Sequence, residues 1–279
     1  MGKHRTKLQQ RTGIQNTLEA YRRFDYDYIP FGKYTVPSAS YPYRTRGLGR
    51  VAEAIIRGVL CVIGPLIIKV AYGCRIEGKE HLRALKRRKQ GAICVSNHVA
   101  ILDTLFVRHA IGNFHTYFTM AAQNNKRGIG GWFIRHAGMW AFSSDRAAVR
   151  QLLGEMSARL DEGDIVHFYA EQAMWINYQK PRPMKEGAFY YAVRNDVPVL
   201  PVFFTFDVNR RGHMKKLVVH ILPPVYPDKA LGRKECAQDL RLRAQNAWRE
   251  CYEQTYHKPL SYLPDRRTGE KRLQETENE

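Results

Sequence analysis

The sequence predicts an α/β domain: a mixed, largely parallel sheet flanked by helices, with an apolar helical segment in front of it. Three observations carry that expectation. From Arg75 onward, short apolar runs alternate with stretches of helical period, as in strands joined by covering helices. The chain has 279 residues, 44% of them apolar, enough to bury one sizeable core. Ahead of that region, Val51 to Tyr72 is mostly apolar, broken only by Glu53, Arg57 and Lys69.

The elements follow in order. Gly91 to Ser96 is a short apolar strand that runs into Asn97-His98 and then the largely apolar Ile101 to Ala110. Ser143, Ser144 and Asp145 offer caps for a helix. In that helix Val149, Leu152, Leu153, Met156 and Leu160 share a face, and Gly163 stops it. Ile165 to Ala170 reads as the next strand and Gly187 to Arg194 as a short helix. Val197 to Phe206 and Leu217 to Leu222 are β-rich. The prolines Pro198 and Pro201 predict an edge or bulged strand for the first of these. A helix from Glu235 to Tyr252 carries Leu240, Ala244, Ala247 and Cys251 on one face. The chain therefore divides into an aromatic, basic arm (1–46), an apolar segment (47–74), the α/β domain (75–264) and a polar tail (265–279).

Charge sets the class of partner. Forty-five Lys and Arg stand against 26 acidic residues, a formal charge of +19. Such an excess calls for an anionic partner, or is simply a solvated basic surface. In the arm, Phe24, Tyr26, Tyr28, Phe31, Tyr34, Tyr41 and Tyr43 sit among Arg22, Arg23, Lys33 and Arg44. That mixture suits a lipid headgroup layer, a stacked single strand of nucleic acid, or a strap around the domain. The uncharged run Gly58 to Ile68 is eleven residues, short of the roughly 20 that cross a bilayer, so an interfacial or re-entrant segment is expected. Pro65 is expected to kink or end any helix there. Met1-Gly2-Lys3-His4-Arg5-Thr6 fits the loose N-myristoylation pattern. The five cysteines, odd in number and without a C-x-x-C, point away from disulfides and zinc and towards a reducing compartment.

Five short blocks could carry chemistry. Asn97-His98 is followed by Asp103, at a strand-to-helix junction where α/β active sites gather. Five helical residues turn through about 140°, so the pair meets only if His98 lies at the helix start and Asp103 reaches back. Asp103 would then fix the imidazole tautomer and His98 would take a proton from a hydroxyl; the alternative is a structural histidine with its bonds satisfied. The block from Gly138 to Arg146 puts Arg146 in the first turn of a helix, a candidate anion site, or an ordinary surface arginine on a helix capped by Asp145. Glu171 lies just past a strand, Lys185 opens a short helix, and Val197-Pro198-Val199-Leu200-Pro201-Val202 is most simply core.

The order of the five blocks resembles the glycerolipid acyltransferases typified by 1-acylglycerol-3-phosphate acyltransferase. Those carry Asn-His-x₄-Asp, a Gly…Phe…Arg block, Glu-Gly-Thr after a strand, Lys-x-Gly and a Val-Pro strand. The resemblance runs from about Arg75 to Pro224. It implies His98 as general base with Asp103 as its partner, and Arg146, Glu171 and Lys185 as acceptor contacts. It also implies an acyl-CoA or acyl-carrier-protein donor, no cofactor and no metal. A lysophospholipid acceptor, first of all 1-acyl-sn-glycerol-3-phosphate, an anionic membrane surface as partner, and a peripheral or monotopic place on a cytoplasmic membrane face follow from it. Nucleic acid is then not expected. The third block departs from the pattern, with Gln172-Ala173 in place of Gly-Thr, which leaves the acceptor open to another lysolipid or lipid alcohol. Two other readings stand beside this one: a non-enzymatic basic binder of nucleic acid or membrane, and a hydrolase using Ser96 with His98, against which the missing G-x-S-x-G elbow argues.

Overall fold

The computed structural model describes residues 33–112 and 115–262. The myristoylation pattern, most of the aromatic arm and the polar tail lie outside them. Within them the order is α1 (Leu48–Tyr72), β1 (Arg75–Glu77), α2 (Lys79–Arg87), β2 (Ala92–Ser96), α3 (Asp103–Ile111), β3 (Thr116–Met120), α4 (Gly128–His136) and β4 (Met139–Ala141). It continues with α5 (Arg146–Asp161), β5 (Ile165–Tyr169), α6 (Gly187–Arg194), β6 (Val199–Val208), β7 (Met214–Ile221) and α7 (Arg233–Tyr256).

Seven strands form one sheet in the order β1-β7-β6-β2-β5-β3-β4. Every neighbouring pair is parallel except β6 with β7. Strand β2 is the middle one, and its five residues are all buried. Alternation assigns its faces. Ile93 and Val95 pack with Leu152 and Met156 of α5, Phe189 of α6 and Leu240 of α7. Ala92 and Cys94 pack with Ile68 of α1, Leu85 of α2 and Phe106 of α3. A strand apolar on both faces is what a parallel sheet covered on both sides requires.

The two expectations about proline are corrected in one half each: β6 shifts register against β7 between Thr205 and Asp207, as a bulged strand does, but it is no edge, and Pro65 does not end a helix. β6 contains Pro201 yet lies inside the sheet, between β2 and β7. Pro201 accepts from Leu222 N (2.9 Å), so its missing N–H faces the β7 side, just beyond that strand's last residue, Ile221. The proline therefore sits where the β6–β7 ladder ends, and at most its last bond is forgone. Pro65 neither ends nor bounds a helix: α1 runs through it to Tyr72. Gly64 and Ile68, on either side of it, are both buried against the domain, and that packing holds the helix together where one backbone bond is lost.

α1 is 25 residues, about 38 Å, long and apolar enough to cross a membrane, and only 22% of its most apolar window is buried. Its buried residues Ile56, Arg57, Gly64 and Ile68 lie on one side. Leu48, Val51, Ile55, Val62 and Leu66 are exposed on the other. The described part of the arm, from Lys33 to Gly47, runs along the edge strand β4: Tyr43 donates its hydroxyl to Ala141 O (2.9 Å) and Trp140 donates to Tyr43 O (3.0 Å). That segment straps the domain and covers an open edge.

Candidate active site

His98 leaves the carboxyl end of the central strand two residues past Ser96 and five before Asp103, the first residue of α3. The chain turns sharply between them, and this brings the side chains together where a continuous helix would not. His98 Nδ1 donates to Asp103 Oδ2 at 2.7 Å, and the same oxygen accepts from Val99 N at 2.7 Å. A carboxylate oxygen that takes two donors fixes the tautomer: Nδ1 carries the proton and the Nε2 lone pair is left over. Asp103 is fully buried, and burial pushes its pKa above the ordinary range, opposed by the bond to His98 and by backbone groups. The imidazole keeps 23% of its surface exposed, so the site opens at the ring.

The ring rests on Tyr169, the last residue of β5, with centroids 3.8 Å apart and planes 15° from parallel. Tyr169 is anchored by Thr104 through a hydroxyl pair at 3.1 Å. Beneath it His167 pairs with Ser96 Oγ at 2.9 Å. Burial pushes the His167 pKa down to about 3, so this histidine is neutral at any working pH. Ser96 is fully buried and donates to Asn97 O (3.2 Å), leaving no nucleophile turned towards His98. The geometry does not serve the hydrolase reading. Asn97 ties the junction to β6, accepting from Phe204 N (2.8 Å) and donating to Phe204 O (3.2 Å).

The segment after β5 folds back over the junction. Trp175 N donates to His98 O and Asn177 N to Val99 O, both at 2.9 Å. Glu171 is buried beside Arg182; its carboxylate accepts from Arg182 and, at 3.3 Å, from His98 N. Gln172 takes φ 55, the left-handed conformation that Gly adopts without cost. Lys185 is half-buried, and its backbone N donates to Ala170 O (2.8 Å).

The structure thus brings His98, Asp103 and Glu171 together and joins Lys185 to the same segment. Arg146 is not joined to this group by any hydrogen bond among the described residues; it opens α5 after β4, a strand three places from β2 in the sheet. It is exposed and makes no bond among the described residues. The free N–H groups beside it are used internally, since Asp145 accepts from Ala147 N (2.7 Å) and Ala148 N (3.1 Å). Sequence reasoning missed Tyr169, His167, Arg182 and Trp175. Burial of a charged residue such as Arg182 cannot be read from a polar loop, and nothing in the local pattern pairs it with Glu171.

An acyltransferase family model matches residues 73–205, which span β1 through most of β6. This stretch is an acyltransferase-family domain. An uncharacterized acyltransferase of Schizosaccharomyces pombe is 26% identical over 216 residues, covering 71% of this chain and 70% of that protein. The crystal structure of the 1-acyl-sn-glycerophosphate (LPA) acyltransferase PlsC from Thermotoga maritima superposes with a TM-score of 0.53. It covers 75% of this chain and 84% of its own at 17% identity, which establishes a shared fold. The expected family and fold class hold for this domain.

Proposed function

We propose that this acyltransferase moves a fatty acyl group from an acyl-CoA or acyl-carrier-protein thioester to the hydroxyl of a lysophospholipid, first of all 1-acyl-sn-glycerol-3-phosphate, giving phosphatidic acid. One observation carries the reading: the Nδ1–H of His98 is bound by buried Asp103, so the partly exposed imidazole offers Nε2 as its only basic atom. The acceptor hydroxyl gives its proton to Nε2 as its oxygen attacks the thioester carbonyl. The tetrahedral adduct collapses, the C–S bond breaks, and the thiolate takes the proton back from the imidazolium. The products are an ester and a free thiol. Asp103 stabilises the cation in between, without moving a proton itself.

The acceptor's phosphate is assigned to Arg146 and Lys185, the cations at the carboxyl end of the sheet that the resemblance singles out. A guanidinium grips a phosphate monoester through paired hydrogen bonds. The membrane contact is assigned to α1. Its inner face is fixed to the domain, so its outer apolar face rests on a bilayer surface, with Ile129, Trp132 and Phe133 of α4 exposed beside it. This supports a monotopic placement on a membrane surface; an anionic membrane is assigned from the formal charge of +19, and its cytoplasmic face from the family resemblance.

The test is incubation of the purified chain with labelled acyl-CoA and a panel of lysophosphatidate, lysophosphatidylglycerol and monoacylglycerol, read by mass spectrometry. Acylated lysophosphatidate is the expected product. Equal kcat/KM for lysophosphatidate and monoacylglycerol would remove the phosphate assignment and leave acyl transfer standing. No acylated product from any acceptor, with either donor, would overturn the reading.

A further inference from the structure

The backbone of His98 is held on both sides by a segment to which the proposed chemistry assigns no part. We propose that Arg182, acting through Glu171 and Trp175, is a positioning residue that fixes where the His98 imidazole stands. The proposal rests on the acyl-transfer reading for its kinetic consequence, and on geometry for the rest.

Glu171 is enclosed, and both of its oxygens accept bonds from within the protein. Its Oε1 accepts from Arg182 N at 2.9 Å. Its Oε2 accepts from Arg182 Nε at 3.0 Å, Arg182 Nη2 at 2.6 Å and His98 N at 3.3 Å. Both side chains are buried, with 4% and 1% of their surface exposed. A carboxylate so enclosed can influence the reaction only through what it holds, and what it holds is the N–H of His98.

Arg182 also closes the segment upon itself. Its guanidinium donates to Ala173 O and lies over the Trp175 ring, 4.3 Å from the centroid. Trp175 N in turn donates to His98 O at 2.9 Å. The N–H and the C=O of His98 therefore both end on a unit organised around one guanidinium. Asp103 fixes the ring's tautomer, and this unit fixes the ring's place. The electrostatics agree with the geometry. Burial pushes the Glu171 pKa up, and Arg182 with its N–H groups pulls it down, so Arg182 favours the charged carboxylate that faces His98 N. Where the resembling family carries Gly-Thr, this chain has Gln172 in the left-handed turn and Ala173 with its carbonyl bound to Arg182. The guanidinium ties down this turn through Ala173 O.

The experiment compares the wild-type full chain with Arg182→Met, Arg182→Lys and the double variant Glu171→Gln/Arg182→Met, by steady-state kinetics and by residue-resolved amide exchange. The double variant keeps the test possible should an unpaired buried carboxylate prevent Arg182→Met from folding. Misplacing a reacting group by about 1 Å costs on the order of 10²-fold. The expected result is a fall in kcat of that order for Arg182→Met and the double variant, with donor and acceptor KM unchanged. A smaller fall is expected for Arg182→Lys, which keeps the charge but loses the fork. Exchange should rise at His98, Trp175 and Asn177 while β2 and β5 stay protected. A folded Arg182 variant with wild-type kcat and unchanged exchange at those three amides would overturn the proposal. So would exchange raised evenly across the sheet with kcat per folded molecule intact, since that is the mark of a purely structural staple. Should the wild type transfer no acyl group at all, the acyl-transfer reading fails by itself, and the three amides alone decide the positioning claim.

Discussion

The two ends of the sheet each bury an arginine and use it differently. At the amino end, Arg57 of α1 pairs with Glu53 (3.0 Å) and lies over the Tyr117 ring, 4.3 Å from its centroid. Two cavities of about 690 and 660 Å³ open at this end, lined by Arg44, Arg46, Glu53, Tyr117 and Arg159, and Arg57 lines the second. At the carboxyl end, Arg182 pairs with Glu171 against the backbone of His98. The first arginine pins an apolar helix to the domain. The second organises a base. Volume and buried charge therefore do not locate the chemistry here. The chemistry we propose is placed instead by an imidazole with one nitrogen bound and the other left over, at the end of the central strand.

The comparison breaks most sharply at His98. His98→Ala should cut acyl transfer by roughly 10²–10⁴ with the thermal midpoint unchanged. A folded variant that turns over like wild type in single-turnover assays would remove the base from the mechanism. Asp103→Asn should follow, with a loss of about 10²-fold or more, because an amide holds the imidazole without stabilising its cation. Because burial raises the pKa of Asp103, the charge that stabilises the imidazolium should be lost on acidification at a pH above the usual aspartate range, and wild-type activity should fall with it. A pH–rate profile flat down to the ordinary carboxylate range would contradict that account.

The other predictions sharpen the contrast from the far side. Val62→Glu with Leu66→Glu places two charges on the exposed face of α1. Binding to phosphatidylglycerol vesicles should drop about tenfold or more, at about 1.4 kcal/mol per tenfold, while turnover of a soluble short-chain acceptor persists. Sedimentation with vesicles reads the first effect, and unchanged co-sedimentation would move the membrane contact elsewhere. Gly138→Ala acts on the amino end. At φ 75 its Cβ would stand 2.0 Å from Arg57 Nη2, so stability should fall by about 1–3 kcal/mol with kcat per folded molecule unchanged. A drop in kcat there would mean that the two ends are coupled. The smallest effect belongs to Gln172→Gly. It relieves left-handed strain of about 1–2 kcal/mol and adds backbone freedom worth about 0.5–1, for a net gain of about 0–1.5 kcal/mol in chemical denaturation.

Much of this was legible in the residues. The alternation of apolar runs marked β2, β5, β6 and β7 and the helices α5, α6 and α7, since a strand buried on both faces must be apolar throughout and a covering helix must repeat its apolar side. The pairing of His98 with Asp103 was legible too, because five residues across one strand-to-helix turn are a local constraint. Less could be read where structure depends on distant partners. β3 and β4 were not expected: each is three to five residues long and takes its place from β5 and from the strap that closes the edge. Pro201 reads as an edge signal, and only the end of β7 beside it makes an interior strand possible. Glu171 reads as a carboxylate at a strand end, open to an acceptor. Only the fold brings in Arg182, eleven residues on, to enclose it. Periodicity and capping are written in neighbouring residues, so the sequence by itself determined the layered α/β domain and the His98–Asp103 pair. Which charge becomes buried, and what it then holds, depends on segments that meet only when the chain is packed, and that was decided by the tertiary structure alone.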